Sequence, residues 1–315
     1  MIIAMLILLI LILLPFFSCT QPDKERTTVR LAYLQTDLHH LPAFVALDKG
    51  FYRQEGLSVE VSGIFRAGPE LMSGFSAGSL DVGYVGLSPA TVAFANKIAQ
   101  VRIVSQINKN GSALIVKKDS PFNNLAALKG KTIAIPGHST IQDFLLRKAI
   151  VNFNLKDIQI NIISIKPPEM IGALSGNSID AFISWEPYPS MSLTSKIGRV
   201  LMNSSDIWRD HPCCVMIVNN TFLKNNPSKV HALLNSHIKS INYINNNRME
   251  AVSIGVKYTG MDSKTVEIAL RNIQFDHHIS TSQVVEYIQF LNKLSYTSVS
   301  NPKTFATSFL LKSEE

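Results

Sequence analysis

Cysteine is scarce: 3 residues in 315, of which two are the neighbours Cys213 and Cys214. A fold built on disulfides is excluded, because adjacent cysteines rarely pair with each other. The pair reads as small apolar fillers of a strand. Long hydrophobic runs are equally few. Only Ile2–Phe17 is long and uncharged, which excludes a polytopic membrane protein. Charged residues make up only 17% of the chain, and the formal net charge of +7 comes from scattered rather than clustered bases. No recognition-helix or zinc-finger pattern accompanies them, so nucleic acid is not an expected partner; an anionic ligand or membrane surface is compatible with the charge. Also missing are a His-Glu-x-x-His motif, a Walker A loop and a dinucleotide glycine triplet. Neither Gly86-Leu87-Ser88-Pro89-Ala90 nor Gly137-His138-Ser139-Thr140-Ile141 completes the Gly-x-Ser-x-Gly of a nucleophile elbow. An enzyme is therefore not expected, and no cofactor or resident metal is assigned.

What is present is ordinary globular composition, 46% hydrophobic, with length for about two domains. The N-terminal run ends in Ser18-Cys19-Thr20. It is short for a membrane span of about 20 residues, and an apolar stretch, a small residue and a cysteine resemble a lipoprotein signal. Residues 1–19 are thus expected to be a signal segment with Cys19 as the lipidation site, or else an uncleaved anchor. Residues 20–28 form a polar tether, and the rest is exported and held at the extracytoplasmic face of the membrane.

An internal echo organises the remainder. Pro69-Glu70-Leu71-Met72-Ser73-Gly74-Phe75-Ser76-Ala77-Gly78-Ser79-Leu80-Asp81-Val82 returns 99 positions later, from Pro168, as Pro-Glu-Met-Ile-Gly-Ala-Leu-Ser-Gly-Asn-Ser-Ile-Asp180-Ala181. Each copy follows an alternating strand pattern, Leu57–Ile64 or Ile158–Ile165. Before these come a helical segment (Ala43–Gln54; Ile141–Asn152) and a short apolar strand (Val29–Leu34; Thr132–Ile135). After each comes another strand, Val82–Val85 or Phe182–Ser184. Alternation of strands and helices predicts an α/β protein with parallel sheets. Two such units predict two facing lobes: residues 29–113 with 217–315, and residues 114–216. Ser112–Lys117 and Cys213–Val218 are expected to cross between them as a two-strand hinge. Helices are expected at Ser228–Asn245, Met249–Lys257, Ser263–Asn272 and Ser282–Leu294.

Ligands of open α/β sheets bind beyond the carboxyl ends of the strands, where helix N-termini present N–H groups. Gly86-Leu87-Ser88-Pro89 is one such junction, with Ser88 as the expected N-cap. Gly137-His138-Ser139-Thr140 is the other, with Ser139 and Gln142 at capping-box spacing. At the place of Gly86, the second copy carries Trp185-Glu186-Pro187-Tyr188. The indole could stack on an organic ligand or serve the core, and Glu186 could accept hydrogen bonds from a ligand or brace the lobe.

The order of Leu41-Pro42-Ala43-Phe44, Asp48-Lys49-Gly50-Phe51-Tyr52, Gly78-Ser79-Leu80-Asp81, Leu128-Lys129-Gly130-Lys131 and Asp180–Tyr188 resembles the nitrate, sulfonate, taurine and thiamine-precursor group of ABC-transporter solute-binding proteins. The resemblance implies a two-lobed type II periplasmic-binding fold. It also implies a monomer that closes on a small organic solute (a sulfonate, nitrate or bicarbonate, or an aminopyrimidine). The solute then passes to a permease with its ATPase. Carried onto this chain, the pocket takes in the loop Asp37–His40 with His39 and His40, then Phe65, Leu87, Ser88, His138, Ser139, Thr140, Trp185 and Glu186. Two alternatives stay open. His39-His40 and Asp276-His277-His278 could together ligate a transition metal as the solute. A thiamine-pyrimidine-synthase-like enzyme is the second.

Overall fold

A computed structural model describes residues 28–155 and 157–311. Cys19 and the expected signal and tether lie outside them, save Thr28. The strands are β1 (Val29–Leu34), β2 (Val59–Phe65), β3 (Val82–Gly86), β4 (Val101–Asn110), β5 (Ser112–Lys117), β6 (Thr132–Ile135), β7 (Asn161–Ser164), β8 (Ala181–Trp185), β9 (Gly198–Asn203), β10 (Pro212–Asn219) and β11 (Ile273–Phe275). They form two sheets, ordered β11-β4-β10-β3-β1-β2 and β7-β6-β8-β5-β9. The central strands β3 and β8 are buried at all five positions, which explains their unbroken small and apolar sequence.

The sheets are mixed rather than all-parallel. β1, β2 and β3 run parallel, as do β6, β7 and β8, but β10 and β4 in the first sheet and β5 and β9 in the second pair antiparallel. The antiparallel strands are the ones that follow or precede a change of sheet, where no crossover helix forces a parallel return.

The change of sheet also falls elsewhere than expected. β4 ends in the first sheet at Asn110 and β5 begins in the second at Ser112, so the outward crossing is Gly111 alone. β10 belongs wholly to the first sheet, which places the return before Pro212 rather than between 216 and 217. The segments expected to be the hinge are thus sheet strands. The helical segment expected over 43–54 is two helices, Leu41–Asp48 and Phe51–Gln54, parted where Gly50 turns left-handed.

The echo is structural. Helix Gly68–Ser76 matches helix Pro167–Ser175, and β3 matches β8, at the same 99-residue spacing. The repeated aspartates explain why. The Asp81 carboxylate accepts the Arg30 backbone N–H, and the Asp180 carboxylate accepts that of Thr132, both at 2.9 Å. Each ties the end of a crossover helix to the first strand of its own sheet.

The lobes meet closely. Phe144 of helix Ile141–Asn152 stacks on Tyr287 at 4.3 Å and meets Phe290 edge-on at 4.9 Å; both partners lie on helix Thr281–Lys293, which packs on the first lobe. Lys148 pairs with Glu286 at 2.8 Å, and Lys166 pairs with Glu70. At the crossing, the Gly111 carbonyl accepts two hydrogen bonds, from His39 Nε2–H and from the Glu186 backbone N–H, each at 2.9 Å.

Two predictions follow from this packing. Gly111 has φ +88, and a Cβ there would lie 2.2 Å from His39 Nε2. Gly111→Ala is expected to lower stability by about 2 kcal/mol or more, read by urea unfolding. His237 is fully buried in the first lobe: Nε2–H donates to the Gln106 carbonyl at 2.9 Å, which leaves Nδ1 to accept from Tyr84 Oη at 3.1 Å. Burial lowers its pKa to about 4. The unfolded chain, with a pKa near 6.5, therefore binds a proton that the folded state refuses between these values, and stability falls as pH drops from about 6.5 to about 4. The contribution is on the order of 3 kcal/mol. The stability gap between the wild type and His237→Gln should narrow over that window; a constant gap in urea melts at pH 7 and pH 4.5 would refute the assignment.

Candidate functional site

The equivalent strand ends Gly86 and Trp185 line one small cavity between the lobes. The first lobe contributes Leu34, Asp37, His39, Gly68, Pro89, Cys213 and Cys214, and the second Thr140, Ile141 and Gln142. The cavity measures about 20 Å³, room for roughly one water molecule. A Cβ on Gly86 would lie 2.8 Å from Ile141 Cγ1, so only glycine lets the second lobe come this close. A hollow of about 820 Å³ elsewhere is lined only by first-lobe residues such as Ile103, His231 and Leu310; His277 and His278 of the metal alternative lie on it, but none of the residues expected in the solute pocket does.

Of the expected residues, Asp37, His39, Thr140 and Trp185 reach the cavity. His40 sits behind it, its Nδ1 accepting the Leu34 N–H at 3.1 Å. Phe65 ends β2, and Leu87 lies in the core. Ser88 is buried, with no hydrogen-bond partner for Oγ, and it does not cap its helix: the N-cap is Gly86. In the second lobe the cap is Thr140, whose side chain accepts from Asp143 N, while Asp143 Oδ2 accepts the Ser139 N–H. The expected Ser139–Gln142 pair is therefore displaced by one residue, because Ser139 itself turns left-handed at φ +59. His138 projects outward, its side chain 61% exposed.

Glu186 does not face the cavity. Its carboxylate accepts from Asn272 Nδ2 at 2.7 Å and from the Ser190 N–H at 3.1 Å, and its carbonyl accepts the Leu38 N–H. Burial raises its pKa. It braces the second lobe against the first, the structural alternative for this residue. Trp185 is only 3% exposed and packs on Tyr188, so it belongs to the core as well as to the cavity wall, and its Nε1 has no hydrogen-bond partner.

Cys213 and Cys214 are the residues that sequence reasoning set aside as filler. Neighbours on a regular strand point to opposite faces. Here the pairing of β10 with β4 slips between Pro212 and Cys214 and again between Cys214 and Val215. This irregularity brings both sulfurs to one side. Each Sγ lies 3.7 Å from His39 Nδ1, and the two are 3.8 Å apart. Both thiols are free. The Asp37 carboxylate stands 3.3 Å from His39 Nδ1 and 3.7 Å from His40 Nε2. Burial pushes the Asp37 pKa up to about 7, against the pull of His39. Burial alone would lower His39, but the Cys213 and Asp37 charges raise it to about 9. Burial likewise opposes ionisation of Cys213, yet the Cys214 thiol and the His39 imidazolium carry its pKa well below the ordinary thiol value; burial pushes Cys214 up. The arrangement is a polarised Cys–His–Asp cluster at the floor of a crevice.

The two histidine-containing segments do not combine. His39 groups with Cys213 and Cys214, whereas Asp276, His277 and His278 form a separate, more exposed group in which Lys109 holds Asp276 at 2.6 Å. Gly74-Phe75-Ser76-Ala77-Gly78 does fit the nucleophile pattern, but it ends a helix instead of making the strand-to-helix turn that an elbow requires.

Comparison with known proteins agrees with this architecture. The alkanesulfonate-binding protein of Xanthomonas axonopodis pv. citri, bound to MOPS, superposes with a TM-score of 0.79 at 16% identity, covering 91% of this chain and 98% of that one. The zinc-bound ligand-binding component of an ABC-type import system from Staphylococcus aureus gives 0.77 at 18% identity, covering 90% and 98%. The taurine-binding periplasmic protein of Escherichia coli (strain K12) is 30% identical over 220 residues, 69% of this chain and 66% of that protein. The sequence pattern of the NMT1-like family matches residues 22–256, and the chain belongs to that family.

Proposed function

We propose that the protein is the extracytoplasmic solute-binding component of an ABC importer, closing two lobes on a small solute and presenting the closed form to a permease and its ATPase. The observation that carries this reading is the meeting of Gly86 and Trp185, equivalent ends of duplicated strands, at one cavity between lobes. Its role is capture rather than catalysis, in line with relatives that are binding proteins. Anchoring through Cys19 and a monomeric state belong to the same proposal. The closed cavity is too small for an organic molecule, so the lobes must open for entry, and a solute shifts the equilibrium by favouring the closed form.

A thermal-shift panel of taurine, alkanesulfonates, nitrate, bicarbonate, aminopyrimidines and metal ions tests the role, with small-angle scattering to read closure. A solute that raises the melting temperature and contracts the particle supports it; a panel without either effect counts against it. The Lys166–Glu70 pair bridges the lobes with both side chains about one-third exposed or more. Lys166→Met is therefore expected to weaken capture by about fivefold or less, an effect that fades at high salt. Calorimetry at two ionic strengths measures it.

A further inference from the structure

We propose that His39, Cys213 and Cys214, completed by Asp37, bind a single thiophilic transition-metal ion, zinc(II) or copper(I), and that this ion is the solute on which the lobes close. The inference rests on the solute-binding role above and names the class of its cargo.

Geometry leads to it. A tetrahedral ion with metal–sulfur bonds of about 2.3 Å and metal–nitrogen or metal–oxygen bonds of about 2.0 Å holds its sulfurs roughly 3.8 Å apart, sulfur and nitrogen roughly 3.5 Å apart, and nitrogen and oxygen roughly 3.3 Å apart. The observed separations are 3.8 Å between the two Sγ atoms, 3.7 Å from each to His39 Nδ1, and 3.3 Å from Nδ1 to Asp37 Oδ1. His39 Nδ1 and the two sulfurs already stand at three corners of one coordination tetrahedron; Asp37 groups instead with His40 and Cys214, so its carboxylate must shift to take the fourth corner. The carboxylate of Asp37 also lies within 4.8 Å of the Cys214 sulfur.

The surroundings agree. His39 Nε2–H is spent on the Gly111 carbonyl, which fixes the ring and leaves Nδ1 to face the sulfurs, the outer hydrogen bond that metal-ligating histidines usually make. Two thiolates and an imidazole suit zinc or copper(I) and disfavour magnesium or calcium. Size is compatible: the cavity between the lobes has room for about one water-sized object. All four donors belong to the first lobe, while Thr140, Ile141, Gln142 and Trp185 of the second cover them. Capture on one lobe and closure by the other is thus built into the placement. Coordination forms metal–sulfur and metal–nitrogen bonds as the protons held among His39 Nδ1 and the two thiols leave to solvent; nothing is oxidised or reduced.

The test uses the full chain, reduced and freed of metal. Zinc(II) and copper(I) are titrated from chelator buffers, cobalt(II) serves as a spectroscopic substitute, and magnesium, calcium, taurine and alkanesulfonates form separate arms. One equivalent of zinc or copper(I), a sulfur-to-cobalt charge-transfer band and contraction on zinc binding are expected, and the zinc and copper arms decide between the two ions. Cys213→Ser with Cys214→Ser should abolish the band and weaken binding by about a hundredfold or more. His39→Gln provides a second variant should the serine pair fail to fold, and the wild-type cobalt band reports thiolate ligation without either. Absence of stoichiometric metal, or metal retained in the variants without the band (binding at Asp276-His277-His278), overturns the inference. If an organic solute closes the lobes while no metal binds, the inference falls and the transport role stands; if nothing closes them, both fall.

Discussion

The Gly111 carbonyl oxygen holds the molecule's two halves to its site. One lone pair takes the Nε2–H of His39 from the loop after β1, and the other takes the backbone N–H of Glu186 at the end of β8. Gly111 is also the whole of the outward crossing, the one residue between a strand of each sheet. A hinge residue that carries hydrogen bonds to both lobes couples the orientation of a cavity-lining imidazole to the position of the second lobe. No side chain is tolerated there, because the ring lies where a Cβ would stand. Backbone conformation, hinge and site chemistry therefore constrain one position together.

The duplication supplies the rest of the frame. In each lobe a helix ends in a turn with a left-handed residue, Gly78 or Asn177, and an aspartate follows whose carboxylate secures the first strand. This local closure needs a small residue or asparagine at the turn and an acid at the strand start, which is why those positions recur while apolar ones drift among like residues. The buried strand that follows delivers its last residue to the crevice in both copies. Equivalent positions then diverge in use: glycine in the first lobe permits approach, and tryptophan in the second closes over the space.

Most of the fold was legible because it rests on periodicity and repetition. Strands β1 and β6 and helices Ile141–Asn152 and Ser263–Asn272 fall where the pattern of apolar residues predicts them. What escaped depends on pairing. Strand direction and the point of sheet exchange follow from hydrogen-bond partners distant in sequence, so β10 read as a crossing although it fills the centre of the first sheet. The site was half legible for the same reason. His39, Thr140 and Trp185 lie at junctions that α/β topology marks in advance, whereas Cys213 and Cys214 face the cavity together only because of an irregular pairing that no alternation rule contains. Glu186 illustrates the opposite error: its place beside Trp185 suggested a ligand contact, but Asn272 and Ser190, one of them far along the chain, consume its carboxylate.

A clamp works only if its cargo distinguishes the open form from the closed one, since a ligand shifts an equilibrium by no more than its differential affinity for the two states. In this molecule Asp37, His39, Cys213 and Cys214 sit on one lobe, so for the proposed metal any preference for closure must arise from what the second lobe adds. It adds no charge at the cavity; it adds Ile141, the Trp185 indole and the Thr140 and Gln142 side chains, which exclude water. Excluding water strengthens every interaction of a charged solute with fixed donors. His39 feels the second lobe through the Gly111 carbonyl, which Glu186 also holds, so closure and donor alignment reinforce each other. The selectivity of such a clamp lies in the first lobe and its trigger in the second. Exchanging residues on the covering lobe should therefore alter how readily the jaws shut while leaving the choice of cargo in place.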